Sequence, residues 1–158
     1  MRSEPLAQRV LEGHQGLISF IESCTEEDWK TWIPNEERPV GVLMHHVASM
    51  LPVELEFIKM LASGKGITDI NDLDVHQMNT QHADANVDRT RDETRELLKH
   101  NSELIIATIR ELSDEQLDRV APVSLHWDSP VSTQYFIEEH PLNHSYHHLD
   151  SIRTILGS

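Results

Sequence analysis

Apolar residues recur every three or four positions along most of this chain, and four long helices account for the pattern. Leu6, Val10, Leu17, Ile18 and Ile21 lie on one side of a first helix over about residues 5–23, with Pro5 suited to its first turn. A second helix runs over about residues 40–62. At about 100° per residue, Leu43, His46, Val47, Met50, Glu54, Phe57, Ile58 and Leu61 share one face, while His45, Ser49, Pro52, Glu56 and Lys59 take the other. The apolar pattern continues past Pro52, so that residue predicts a kink rather than a stop. A third helix follows Thr90 and places Thr94, Leu98, Asn101, Ile105, Ile109 and Leu112 on one face. A fourth covers about residues 133–156, with Ile137, Pro141, His144, His148, Ile152 and Ile155 aligned.

The segments between the helices carry their own punctuation. Thr25 opens an acidic first turn, Thr90-Arg91-Asp92-Glu93 and Ser113-Asp114-Glu115-Gln116 are capping boxes, and Ser63-Gly64-Lys65-Gly66 closes the second helix. Residues 29–39, with two tryptophans and two prolines, read as a loop anchored by its aromatics, and residues 121–132 as another loop. The polar stretch 69–88 shows only a weak helical trace and reads as a short helix inside a long crossover. Such a crossover lets the second and third helices run parallel. No alternating Val/Ile-rich run predicts a strand, and no internal repeat is present. The expectation is an all-α four-helix bundle forming a single domain over residues 1–158.

Composition narrows the function. With 27 acidic against 13 basic side chains the net charge is −14, which argues against a nucleic-acid or anionic-membrane partner. Charged and apolar residues alternate at helical spacing from the start of the chain, unlike a secretory leader, and Cys24 stands alone, so a reducing cytoplasmic setting is expected. The outlying count is histidine, at eleven.

Four of these lie within residues 140–148. His144 and His148, four apart, stack on the buried stripe at a spacing suited to gripping one metal ion. His46 is the inward histidine of the second helix, and helical geometry turns its neighbour His45 outward. His140 and His147 flank the stripe; pairing His140 with His144 is the alternative register. Three histidines would leave a coordination position open, as catalytic zinc or nickel sites do. Glu54, two turns from His46, reads equally as a second-shell acceptor, a pocket residue or a bundle-end group. His76, His82 and Asn79 are further pocket candidates, and His14 reads as a half-buried packing or capping residue. A bundle whose histidines form hydrogen-bonded core networks without metal is the bland alternative.

Val40-Gly41-Val42-Leu43-Met44-His45-His46-Val47 and His144-Ser145-Tyr146-His147-His148, with Trp29, Trp32 and Asn79, resemble the DinB-like superfamily of metal-binding bundles, YfiT-type proteins included. The resemblance implies up-down-down-up helix order and a triad of His46, His144 and His148 holding a divalent ion, zinc or nickel. It also implies a homodimer, and transfer of a low-molecular-weight thiol to a small electrophile, or hydrolysis. The catalytic group would be a water or thiol activated by the metal. Leu149-Asp150-Ser151 stands where that family often has Arg-Gly-Gln after the last ligand. The alternative function is a non-catalytic metal- or small-ligand-binding bundle.

Overall fold

The computed structural model describes residues 1–157. Helix α1 spans Ser3–Ser23 and is followed by the short α2, Glu26–Lys30, whose Thr25 cap accepts from the Asp28 amide while the Asp28 carboxylate accepts from the Thr25 amide. Strands β1 (Trp32–Ile33) and β2 (Arg38–Pro39) pair around a single 3₁₀ turn, Pro34–Glu36, and lead directly into α3, Val40–Ala62. α4 (Asp72–Ala85) occupies the crossover, capped by Asn71. α5 (Arg91–Glu111) and the short α6 (Asp114–Asp118) open with the two capping boxes expected from the sequence. β3 (Val120–Val123) and β4 (Ser129–Ser132) form a second hairpin. The last long helix then starts as α7 (Thr133–Ile137), widens into a π-helical segment over Glu138–His144, and finishes as α8, Ser145–Leu156.

Contacts between the helix ends fix the topology. Arg110 reaches Glu4, and Arg91 reaches both the Cys24 carbonyl and Glu26, so α1 and α5 run antiparallel. Asn101 donates to the Ala48 carbonyl (2.9 Å), and Arg119, beyond α5, donates to the Ala62 carbonyl at the end of α3 (2.6 Å). Hence α3 and α5 run parallel, as the long crossover requires. Arg9 meets Glu138 and Tyr146 donates to the Gly13 carbonyl, so the last helix runs parallel to α1 and antiparallel to α3. The order is up-down-down-up.

The core is the sum of the four predicted stripes. Leu17, Leu43, Ile58, Leu98, Ile105, Ile109 and Ile152 are fully buried. Asn101 and Thr94 on the α5 stripe are buried too, and Asn101 is tolerated because its amide finds the Ala48 carbonyl. As expected, α3 does not stop at Pro52. Three expectations change. The two loops contain hairpins, which are too short to show a period-two signal and are held by backbone pairing around tight turns. Only Trp29 anchors its loop, donating from Nε1 to the Arg89 carbonyl (2.9 Å); Trp32 is exposed. Ile155, on the predicted stripe, lies in the final turn and is exposed. Among the described residues, no helix is long and apolar enough to cross a membrane.

Gly41 lies under the Trp29 indole, and a Cβ there would fall within 2.5 Å of its ring. The indole cannot swing away without breaking its bond to Arg89. Gly41→Ala gains helix propensity but overpacks this contact, and the net effect is a loss of about 1–3 kcal/mol, read as a lower urea midpoint at unchanged m-value.

Candidate metal centre

The histidines meet where α3 faces the last helix. His82, His46, His148, His144, His140 and His126 form an unbroken row, with successive ring centroids 5.4, 5.6, 4.5, 6.2 and 5.3 Å apart. His46 and His148 are buried; His144 is exposed and lines a cavity of about 670 Å³. The cavity floor takes His46, Glu54, His140, His144 and His148. Its walls are mostly apolar, from Met50 and Phe57 on α3, Ile70 before α4, Val75 and Met78 on α4, and Leu125 in the second hairpin, with Asp72, His76 and Asn79 as polar exceptions on α4.

His148 is the most defined of these groups. Its Nδ1 lies 3.0 Å from the Glu36 carboxylate, and its Nε2 is buried with no protein partner. Glu36 is presented by the 3₁₀ turn between β1 and β2, which Arg38 ties down by donating to the Glu36 carbonyl (2.8 Å). The His148 hydrogen bond is the main cause that holds the Glu36 carboxyl below its ordinary range. A carboxylate on one imidazole nitrogen and an open valence on the other is how proteins orient a metal-ligating histidine. No spacing along the chain points to Glu36, because a ligand-orienting residue on a turn obeys no helical period.

The π-helical segment decides the position of His140. Pro141 has no N–H to donate and its ring crowds the preceding turn, so a regular α-helix cannot pass through it undisturbed. The helix widens instead. The Pro141 carbonyl accepts from His14 Nε2 (2.8 Å) and from the Ser145 hydroxyl (3.2 Å). His14 is therefore fully buried, deeper than the half-buried role expected of it. The altered rotation brings His140 onto the cavity floor, stacked on Phe136 (4.1 Å) and bonded Nε2 to Nε2 with His126 (2.9 Å). Among the described residues, one group offers three ligand atoms all within 4.8 Å of one another, and it is Glu54, His140 and His144. A His/Glu cluster able to hold a metal ion is thus present.

His45 does not point outward to solvent. α4 packs over that flank, and His45 is buried against His82, Nδ1 to Nε2 at 2.8 Å. The two-faced helix picture had no place for a crossover element covering the third side. His82 is consequently outside the cavity wall, whereas His76 and Asn79 line it; His147 is exposed and does not.

No family model matches this sequence, and no curated protein matches it either. Solved structures do. One is YfiT from Bacillus subtilis, described as a probable metal-dependent hydrolase with an unusual four-helix bundle topology: TM-score 0.75, 16% identity, covering 98% of this chain and 87% of that one. Another is an uncharacterized protein from Clostridium difficile 630, with TM-score 0.75, 14% identity, and 98% and 95% covered. The chain has the four-helix-bundle fold of YfiT.

Burial disfavours the charged form of four of these imidazoles. It pushes His46 down to about 3, with His148 and His82 adding to the effect, and His45, His140 and His144 down to about 4. Burial alone pushes the Glu54 carboxyl up to about 8. In the metal-free protein the unfolded chain takes up protons below about 6.5, which the folded histidines refuse. Stability is therefore full above that pH and is lost as the pH falls toward 4, by roughly 5 °C or more in melting temperature. Glu54 acts with the opposite sign, its contribution being lost as pH rises from the ordinary carboxyl range through about 8. Metal-free Glu54→Gln accordingly melts higher than wild type at pH 9 and equally at pH 4, a pattern that melting curves across the pH range check directly.

Proposed function

We propose that this chain is a divalent-metal-dependent enzyme acting on a small, largely apolar electrophile, with His46, His144 and His148 as the ligands of its catalytic ion. The carrying observation is the buried, unpartnered Nε2 of His148, oriented by Glu36 beside His46 and His144 at the floor of the cavity. An orphaned buried nitrogen costs stability, and an ion removes that cost. All three donors are imidazole nitrogens, a set that suits zinc or nickel. Bound there, such an ion supplies Lewis acidity and lowers the pKa of a water or thiol that joins it.

The chain's own side chains supply the remainder. Among the described residues, the cavity lining contains no serine, cysteine, lysine or tyrosine; its reactive side chains are the histidines, Glu54 and Asp72. The apolar walls select the substrate and exclude water from it. Either water or a low-molecular-weight thiol is the attacking group. The first gives hydrolysis, the activity class in the description of the Bacillus subtilis YfiT structure, and the second gives S-transfer.

Protein purified without a histidine tag and loaded with Zn²⁺ or Ni²⁺ is expected to retain at least one ion per chain; retention below about 0.1 equivalent overturns the reading. Glu36→Ala is expected to weaken that ion's affinity by about 10–100-fold in competition with a chromophoric chelator, with the fold intact by circular dichroism. A panel of esters, amides and thiol–electrophile pairs then separates enzyme from binding module. Metal-dependent consumption of any member supports the enzyme, and tight metal binding with no turnover across the panel assigns the chain to the non-catalytic class.

A further inference from the structure

The antiparallel pairing of α3 with the last helix has more than one level of metal-ligating groups. His46 faces His148 at one level, and Glu54 faces His140 at another. Along α3 these levels are eight residues apart, about 12 Å of helix rise. A zinc–nitrogen bond is only about 2.0–2.1 Å long, so one ion does not serve both levels. His144 stands between them, its ring 4.5 Å from that of His148 and 6.2 Å from that of His140.

The Glu54 level has the marks of a built site. Glu54 Oε2 is buried without any hydrogen-bond partner, on a residue only 5% exposed. Among the described residues no cationic side chain is bonded to that carboxyl, and a cation from solution would offset its burial. Its ligand atom lies within 4.8 Å of those of His140 and His144. The His140 ring cannot turn freely, being stacked on Phe136 and bonded to His126. A preset imidazole, an unpartnered carboxylate oxygen and a shared histidine make a mixed nitrogen–oxygen donor set suited to zinc, nickel or manganese.

We infer that Glu54, His140 and His144 form a second divalent-cation site, adjoining the His46–His148 level and sharing His144 with it. An imidazole has two ring nitrogens, and once its N–H proton is released to solvent it serves one ion with each. The site extends the metal-centre reading above, but Glu54 and His140 belong to the new level alone, and His46 and His148 to the other alone.

The test counts Zn²⁺. Metal-free, untagged protein is titrated with Zn²⁺ in excess glycine, which competes for surface imidazoles, and retained metal is measured after gel filtration. Wild type is expected to hold two ions per chain. Glu54→Gln and His140→Ala are each expected to lose one and keep the other, as is His46→Ala, with circular dichroism reporting that each variant is folded. If Glu54→Gln and His140→Ala both retain as many ions as wild type, the second site is overturned while the His46 reading stands. If His46→Ala loses nothing while Glu54→Gln does, the second site stands and the His46 reading falls. Wild type that retains no ion overturns both.

Discussion

Burying a row of imidazoles between two helices is the constraint that shapes this bundle. A core of this size is ordinarily filled by aliphatic side chains, and here His46, Glu54, His140, His144 and His148 occupy the seam between α3 and the last helix. Each must be neutral, partnered or metal-bound, since an isolated buried charge costs far more than the fold supplies. The structure meets this condition group by group. His45 is bonded to His82, His140 to His126, and His148 to Glu36. Six buried side-chain atoms remain unpaired among the described residues: four lie in His14, His82, Thr94 and Ser102, away from the cavity, and two, Nε2 of His148 and Oε2 of Glu54, belong to residues that line it. The last two share a cavity large enough for a partner from solution.

Pro141 makes this seam possible. It lies inside the π-helical segment, where its missing N–H fits a break in the regular ladder, and the segment sets the relative rotation of His140 and His144. The Pro141 carbonyl also accepts from His14 of α1 and from the Ser145 hydroxyl. The distortion is therefore held in part from outside the helix that carries it. His14, with no role at the cavity, becomes a brace for the residues that have one. Its pKa is lowered by burial, so at neutral pH it is the uncharged ring that donates from Nε2.

Much of this was legible in the sequence, for a physical reason. Helical periodicity reports which residues face the core, and it selected Leu98, Asn101 and Ile105 on α5 and His46 and His148 at the seam. Capping boxes report where helices begin, and those at Thr90 and Ser113 did so. The failures share a cause as well. His45 was assigned to solvent because a helix was given two faces, whereas α4 covers a third. His140 was placed off the stripe because every residue was allotted the same rotation, which the π-helical segment does not obey. Glu36 was invisible because its position depends on a turn held by two residue pairs of strand and by Arg38, none of which has a period. Periodicity reads regular elements; the groups that tune a site sit where regularity breaks.

The arrangement also divides labour between rigid and loosely attached parts. The cavity floor is carried by α3 and the last helix, which belong to the packed core. The walls come from elements with little burial of their own: α4 has no buried residue, and Leu73 and Met78 on it are exposed. Its stability rests on its Asn71 capping box and on the His45–His82 contact. Low local packing is what allows an element to open at small cost while the core stays folded. On the proposed function, ligand groups would need fixed distances and a small molecule a lining that can give way, which Val75, Met78 and Asn79 of α4 would supply. The first requirement would then fall on the bundle and the second on the crossover, giving the long connection between α3 and α5 a use beyond letting two consecutive helices run parallel.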